Sequence, residues 1–547
     1  MRPDAAFCCY YRLPPNPPGV RIWPETGVLP LVVGVGRSMT VLTDINQPTR
    51  SQNGQAAPRP QTIRSIYIDC TQVYQSTNAS GIPRVVRNLV VQGTRMSREL
   101  GVDVRPVVLT ARGFSRISAD MLCQQAGSPR RADMEKRVNN FSKSAEEFCR
   151  SVLRKTGLIA PPPAALPEPV GGAEAAAQSP PQVGVAPSPL PRVHSLLRLT
   201  RKKSREMRES LSRWNLAIRK WAQHTEPKRG DLILLADSTW HVESLWKHVQ
   251  RAKQRGALVA SVMYDLIPVR RPDFVDDHLT EVFTRHLQYV IENTDFIIAI
   301  SRDTSRDFLE YAGARNGDVA GGWSKERAGS FKLGGAEWTK STASLESERC
   351  RDVVRLVGDR PAYLTVGTFE VRKNHKAILD AFDRLWQEGE DICLLILGRP
   401  GFRADAQIER VRNHPEFGKR LFWESGGSDA DLESWYRLSR GVIMSSYAEG
   451  FGLPVAEAMA RGKAAYASDI PAHREIGDGY CEFFEPGDAG ALASLIRQDL
   501  RNGRGAGLKP LGEFRWPSWP DSVRECLTGC LRMASLGPRA AGRAPSR

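Results

Sequence analysis

The sequence predicts an α/β protein made of two doubly wound domains in tandem. Two observations carry this prediction. Past residue 62, short apolar runs bounded by turn residues alternate with amphipathic helical patterns, the order that yields parallel sheets covered by helices on both faces. The alternation lapses over a glycine-rich, charged stretch at 321–355 and then resumes. The 547 residues therefore divide into units that are each long enough to bury a core.

Residues 1–62 lack the alternation and are expected to form a disordered extension, within which Met39 is a candidate start. The apolar run at 28–36 is interrupted by Pro30, too short to span a bilayer and unlike a signal peptide. The first domain is expected over 63–320. It opens with a strand at 65–69 and a loop at 78–83. A helix follows, with Val85, Val86, Leu89 and Val90 on its apolar side. Further strands are expected at 104–109, 232–236, 258–263 and 296–300.

An insertion at about 113–230 breaks this rhythm. Residues 160–192, rich in Pro, Ala and Gly, read as a disordered linker. A strongly basic helix is expected over 195–224, with Met207, Leu211, Trp214, Ile218 and Trp221 at 4-3-4-3 spacing. Such a stripe either docks on its own domain or lies on an anionic bilayer, where Arg, Lys and Trp are each favourable.

After a connection at 321–355, the second domain is expected over 356–512. Its strands fall at 362–366, 392–397, 441–445 and 464–467, and its helices near 375–386, 431–439, 454–461 and 488–500. A terminal helix over 513–534 follows Trp516 and returns to the first domain, and 535–547 is a basic tail. In doubly wound domains ligands bind beyond the carboxyl ends of the strands.

Hydrophobic content of 41% and charged content of 25% are those of a globular protein. A net charge of +16 calls for an anionic partner, or reflects no more than genome base content. The basic excess concentrates near 192–230 and after 535, away from the sheets. Nucleic-acid binding would instead favour aromatic residues interleaved with basic ones in an exposed groove, so no nucleic-acid partner is expected. Among the cysteines, Cys8–Cys9 and Cys526–Cys530 are the close pairs, and neither has a zinc or redox spacing. A reduced, cytoplasmic setting is expected.

The most informative stretch runs Ser446-Tyr447-Ala448-Glu449-Gly450-Phe451-Gly452-Leu453-Pro454-Val455-Ala456-Glu457. A glycine-rich turn and a helix start lie between its two glutamates. Pro454 suits the first helical position, where a missing N–H costs nothing, and Glu457 then falls in the first turn. Gly450 and Gly452 let backbone amides approach a ligand, and a helix N-terminus favours negative charge. This pattern suits a diphosphate flanked by hydroxyl-bearing sugars, that is, a nucleotide-sugar. Upstream, Gly367-Thr368-Phe369-Glu370-Val371-Arg372-Lys373-Asn374-His375 places two adjacent cations just past a strand. Arg372 can fork onto phosphate oxygens and Lys373 can supply a compact charge.

These two motifs, with Ser468-Asp469-Ile470-Pro471-Ala472-His473-Arg474-Glu475, resemble glycosyltransferase family 4, whose members are retaining enzymes with the GT-B fold. The likeness is dense over 360–500. It extends more thinly to Asn78-Ala79-Ser80-Gly81-Ile82-Pro83, Val262-Met263-Tyr264-Asp265-Leu266-Ile267-Pro268 and Ile300-Ser301, which are similar to acceptor-domain landmarks of bacterial polysaccharide mannosyltransferases. The resemblance implies that Arg372 and Lys373 hold the donor diphosphate and stabilise it as it leaves. It implies that Glu449 binds sugar hydroxyls, that the amides of Gly450, Phe451, Gly452 and Leu453 support sugar and phosphate, and that Glu457 accepts from the ribose. Gly81 would let its loop approach the diphosphate, and Thr368 and Asp265 complete the expected donor contacts. Where many relatives have His before that Asp, Tyr264 stands here, so Asp265 either contacts the sugar or braces its own loop.

The implied partners are a nucleotide-sugar donor, with GDP-mannose first among candidates, and a surface-polysaccharide or lipid-linked saccharide acceptor. The expected setting is cytoplasmic, with peripheral contact at the inner face of the cytoplasmic membrane if the basic helix at 195–224 lies on the bilayer rather than on its own domain. No cofactor or metal is expected, since cations already face the phosphates. The Asp-x-Asp spelling at Asp429 and Asp431 reads as a helix N-cap region rather than a metal site. Two other enzyme readings fare worse. A glycosidase needs a raised-pKa acid, whereas a carboxylate at a helix N-terminus is pushed toward staying ionised. A nucleotide-sugar epimerase on the same scaffold has no support from the Arg-Lys-Asn-His string.

Overall fold

The computed structural model describes residues 62–75, 81–123, 222–316, 323–335 and 347–539. The expected extension before residue 62, loop residues 78–80, the linker at 160–192, the basic helix up to residue 221 and the tail past 539 lie outside the described residues.

The first lobe is built on strands β1 (Ser65–Asp69), β2 (Asp103–Thr110), β3 (Gly113–Arg116), β4 (Gln223–His224), β5 (Asp231–Leu235), β6 (Leu258–Met263), β7 (Phe296–Ala299) and β8 (Ala328–Ser330). Their order across the sheet is β4-β3-β2-β1-β5-β6-β7-β8. From β2 to β8 neighbours are parallel, while β3 pairs antiparallel with β2 and with β4. β5, β6 and β7 are buried along their whole length, which is why they read as unbroken apolar runs rather than alternating ones.

The second lobe carries β9 (Ala362–Val366), β10 (Cys393–Leu397), β11 (Leu421–Glu424), β12 (Gly441–Met444), β13 (Ala464–Ser468) and β14 (Glu482–Phe484). They form an all-parallel sheet ordered β11-β10-β9-β12-β13-β14. In each sheet the strand order reverses once, between β1 and β5 and between β9 and β12. Crevices at such reversals are where doubly wound sheets receive ligands.

The structure differs from the sequence expectations in several places, one being that β11 and β14 lie outside the strands expected in the second domain. The expected insertion at 113–230 is shorter at both ends, because Gly113–Arg116 and Gln223–His224 extend the first sheet. Gly113, at φ 112°, permits the tight turn from β2 into β3. Residues 223–224, expected to end the basic helix, are therefore strand. The expected connection at 321–355 holds edge strand β8 and the helix Glu348–Val357, capped by the Ser347 hydroxyl on the Cys350 amide. β8 reads Ala-Gly-Ser and carries no apolar signal; its neighbours decide its conformation.

The terminal helix Trp519–Ala534 begins with a Ser518–Asp521 capping box and packs on the first-lobe helix Ile82–Arg95 and on β7 and β8. Cys526 and Cys530 are both fully buried along it, as their helical spacing suggests, and neither is bridged. Ser428 likewise caps the helix Asp429–Leu438 in a capping box with Asp431, which bears out the N-cap reading of that Asp-x-Asp string.

Candidate active site

Three ionised side chains meet across the strand reversal of the second sheet. Arg372 and Lys373 follow β9, and Glu449 follows its neighbour β12. The two loops are stitched together: the Ser445 hydroxyl donates to the carbonyls of Lys373 (2.8 Å) and Asn374 (2.9 Å), and the Tyr447 amide to the Arg372 carbonyl (2.7 Å). Glu449 Oε2 accepts from Arg372 Nη1 at 2.9 Å, and its Oε1 accepts from Lys373 Nζ and from the Ser446 hydroxyl (2.6 Å). Burial opposes charge on Glu449, but Lys373 and Arg372 outweigh it and hold the carboxyl well below its usual range. Burial also pulls the Lys373 ammonium down, against the attraction of Glu449. Glu449 is thus an ionised acceptor and not a proton donor. Arg372 further engages Glu370 through Nε at 2.8 Å.

The glycine loop after Glu449 lies directly against the first lobe. The Gly450 carbonyl accepts from the Ser301 (2.9 Å) and Thr304 (3.3 Å) hydroxyls at the start of the helix Arg302–Asn316. Gly452 holds φ 108° and caps the helix Leu453–Ala460. That helix starts one residue earlier than expected, so Pro454 is its second residue and Glu457 stands in its second turn. Of its first three residues, Pro454 has no amide hydrogen and the Val455 amide donates to the Gly452 carbonyl at 3.0 Å. Phe451 is buried, with its ring 5.7 Å from that of Trp516. Thr368 is half-buried in the loop after β9.

Glu457 is buried, and both of its oxygens have protein partners. Oε2 accepts from the Tyr436 hydroxyl at 2.8 Å, and Oε1 lies 3.3 Å from Nη1 of Arg84 in the first lobe. Arg84 belongs to the helix that Gly81 initiates. Gly81 holds φ 64° and a β-carbon there would touch nothing, so backbone conformation rather than space demands glycine. Asp265 Oδ1 accepts from the Ile267 amide at 3.0 Å, which braces its loop, while burial raises its carboxyl and Arg372 opposes the rise. Tyr264 points away from this group, its hydroxyl donating to the Ala236 carbonyl at 2.6 Å. The structure therefore gathers Arg372, Lys373, Glu449, Gly450 and Asp265 closely, and joins Glu457 to the Gly81 helix through Arg84.

Sequence reasoning missed two residues near this group and a buried carboxylate pair in the first lobe. His473 is fully buried beside Gly452, and burial lowers its pKa while Glu449 works the other way. Glu475 reaches across to the first lobe, where it accepts from the amides of Arg302 (3.0 Å) and Asp303 (3.2 Å). Both residues stand in the motif at 468–475, so the string was visible but its geometry was not. The carboxylate pair is Asp69 and Asp237 at the ends of β1 and β5, where Asp237 accepts from the amides of Gln72 (2.6 Å) and Val73 (2.8 Å). Among the described residues no group of three or more His, Cys, Asp or Glu side chains is gathered for a metal, and no helix is long and apolar enough to cross a membrane.

Residues 346–507 match the family model described as Glycosyl transferases group 1. This stretch is a glycosyl transferases group 1 domain. The domain contains β9 to β14, the loops that carry Arg372, Lys373 and Glu449, and the helix that carries Glu457. Over 300 residues, 55% of its length, the chain is 28% identical to the serotype-specific mannosyltransferase WbdA of Escherichia coli and covers 37% of that protein. Over 163 residues, 28% of its length, it is 31% identical to the O-antigen chain mannosyltransferase B of Escherichia coli and covers 42% of it. The chain thus spans less than half the length of these curated relatives. Among solved structures, Anabaena HepE in complex with UDP is similar at a TM-score of 0.43 and 11% identity, over 87% of this chain and 97% of that one. Sucrose-phosphate synthase of Thermosynechococcus elongatus gives a TM-score of 0.38 and 21% identity, over 56% of this chain and 72% of that one. With two doubly wound lobes, one of them the glycosyl transferases group 1 domain, the protein has the GT-B organisation its motifs imply.

Proposed function

We propose that the protein is a retaining glycosyltransferase of family 4 that moves mannose from GDP-mannose to a surface-polysaccharide or lipid-linked saccharide acceptor. The observation that carries this reading is the meeting of Arg372, Lys373 and Glu449 across the β9/β12 reversal. In such a transfer the bond from the anomeric carbon to the diphosphate oxygen breaks, and a bond to an acceptor hydroxyl forms on the same face. The hydroxyl proton leaves with the diphosphate. Negative charge builds on the departing group, and preorganised cations and amides aimed at that charge are usually the largest catalytic contribution.

Arg372 and Lys373 supply the cations, so the reaction requires no divalent metal. Glu449 orients sugar hydroxyls with the lone pairs its cations leave open. Glu457 accepts from the ribose, sharing its carboxylate with Arg84 and Tyr436. Gly81 shapes the approach of the first-lobe loop, and Asp265 braces the opposite wall. The protein works in the cytoplasm, where the basic segment at 195–224 holds it against the inner face of an anionic membrane. The mannosyltransferase names of the relatives and the motif set support the choice of sugar. Calorimetry against GDP, UDP and ADP and their hexose conjugates, with release of nucleoside diphosphate measured in parallel, tests the proposal. Preference for GDP-mannose supports it, and binding to none of the panel would sink it.

A further inference from the structure

The first lobe contains a cavity of about 720 Å³ whose lining includes Thr94, Arg95, Arg98, Asp103, Arg105 and Arg116. It lies at the amino ends of the strands: Asp103 and Arg105 open β2, whereas the loops that meet the second lobe follow carboxyl ends. Its size is that of a small-molecule site. We propose that this cavity is a second ligand site, separate from the active site, and that it takes a phosphoryl-bearing anion.

Charge is the first argument. Four guanidiniums face one carboxylate, and Arg105 already pairs with that carboxylate, Asp103. The carboxyl end of the helix Ile82–Arg95 also lies here, but its share of a helix dipole is only about half a negative charge. The side chains win, and the cavity is strongly positive. The second argument is preorganisation. The Arg116 guanidinium is held in place, since Nη2 donates to Gln223 Oε1 at 3.0 Å, and Arg forks match phosphate oxygens well.

The helix Ile82–Arg95 also links this cavity to the active site. Arg84, near its start, contacts Glu457, and about 16 Å of helix separates it from Arg95.

The test uses full-length protein with two probes: calorimetric titration with inorganic pyrophosphate, and flotation with phosphatidylcholine vesicles with or without phosphatidic acid. Wild type, Arg98→Gln and the Arg98→Gln/Arg116→Gln double variant are compared. Expected is a binding component that weakens roughly tenfold or more in the double variant and survives Lys373→Ala. Loss in the pyrophosphate arm identifies a free phosphate ligand; loss only with phosphatidic acid identifies a lipid headgroup. Arg98 is exposed, so Arg98→Gln alone keeps the test decisive if the double variant fails to fold. No binding of either probe by wild type, or binding that these substitutions leave unchanged, overturns the proposal.

Discussion

Gly450 lies so close to Tyr264 that a β-carbon on it would stand 2.1 Å from the Tyr264 carbonyl oxygen. The loop that carries Glu449 therefore rests directly on the first lobe, and only glycine permits that approach. Gly450→Ala sets a carbon against backbone that cannot yield cheaply, so the loop has to shift. Displacement of reacting groups by about 1 Å can cost roughly a hundredfold in rate, so turnover should fall by that order or more, and the melting temperature should fall with it. A variant with wild-type turnover would contradict this account of the loop.

Lys373→Ala removes one of two cations from the candidate diphosphate seat. Losing a preorganised donor of this kind costs on the order of 10²–10³ in turnover. Glu449 keeps Arg372 and Ser446 as partners, so folding should suffer less than catalysis. Steady-state kinetics beside urea unfolding would separate the two, and a well-folded, fully active variant would remove Lys373 from the mechanism.

Glu475 seats its carboxylate on the first amides of the helix Arg302–Asn316 in the other lobe. Such capping contacts are worth about 0.5–2 kcal/mol. Glu475→Ala should let the lobes separate more often, raising the KM for donor and the radius of gyration measured by solution scattering. An unchanged radius and KM would mean that the contact does not hold the lobes together.

Asp69 is fully buried, and burial together with the charge of Asp237 raises its carboxyl from 3.8 to about 7. Between those values the folded protein holds a proton that the unfolded chain has released, so stability falls as pH rises through that window. Asp69→Asn removes the titrating group while keeping an acceptor for the Thr71 amide and hydroxyl that Asp69 now binds. Unfolding free energies measured from pH 4 to 7 should decline less steeply in the variant, and parallel profiles would show that Asp69 does not titrate there.

Because Arg372 and Lys373 supply the positive charge, a chelator should leave donor turnover unchanged. A loss restored by added magnesium would show that the diphosphate needs a metal as well.

The strands and their neighbouring helices were legible because buried parallel strands must be apolar on both faces, as 232–236 and 258–263 are. The cation pair and the glycine loop were equally visible, since their chemistry lies in adjacent residues. β3, β4, β8, β11 and β14 were not, because strands of two to four residues, four of these five at sheet edges, offer too short a run to read and take their conformation from a partner strand. The start of the helix after Gly452 was misread by one residue because Pro454 fits either of the first two positions.

By itself the sequence determined the two doubly wound units, the loops that end their strands and the residue types at the candidate site. Which residues meet across the lobes was decided only by tertiary structure. Glu475 on the amides of Arg302 and Asp303, Arg84 on Glu457 and Gly450 against Tyr264 join positions 172 to 373 residues apart. Nothing local records such pairs. Side-chain periodicity reports which face a residue buries, whereas a contact between lobes depends on how two finished surfaces fit together.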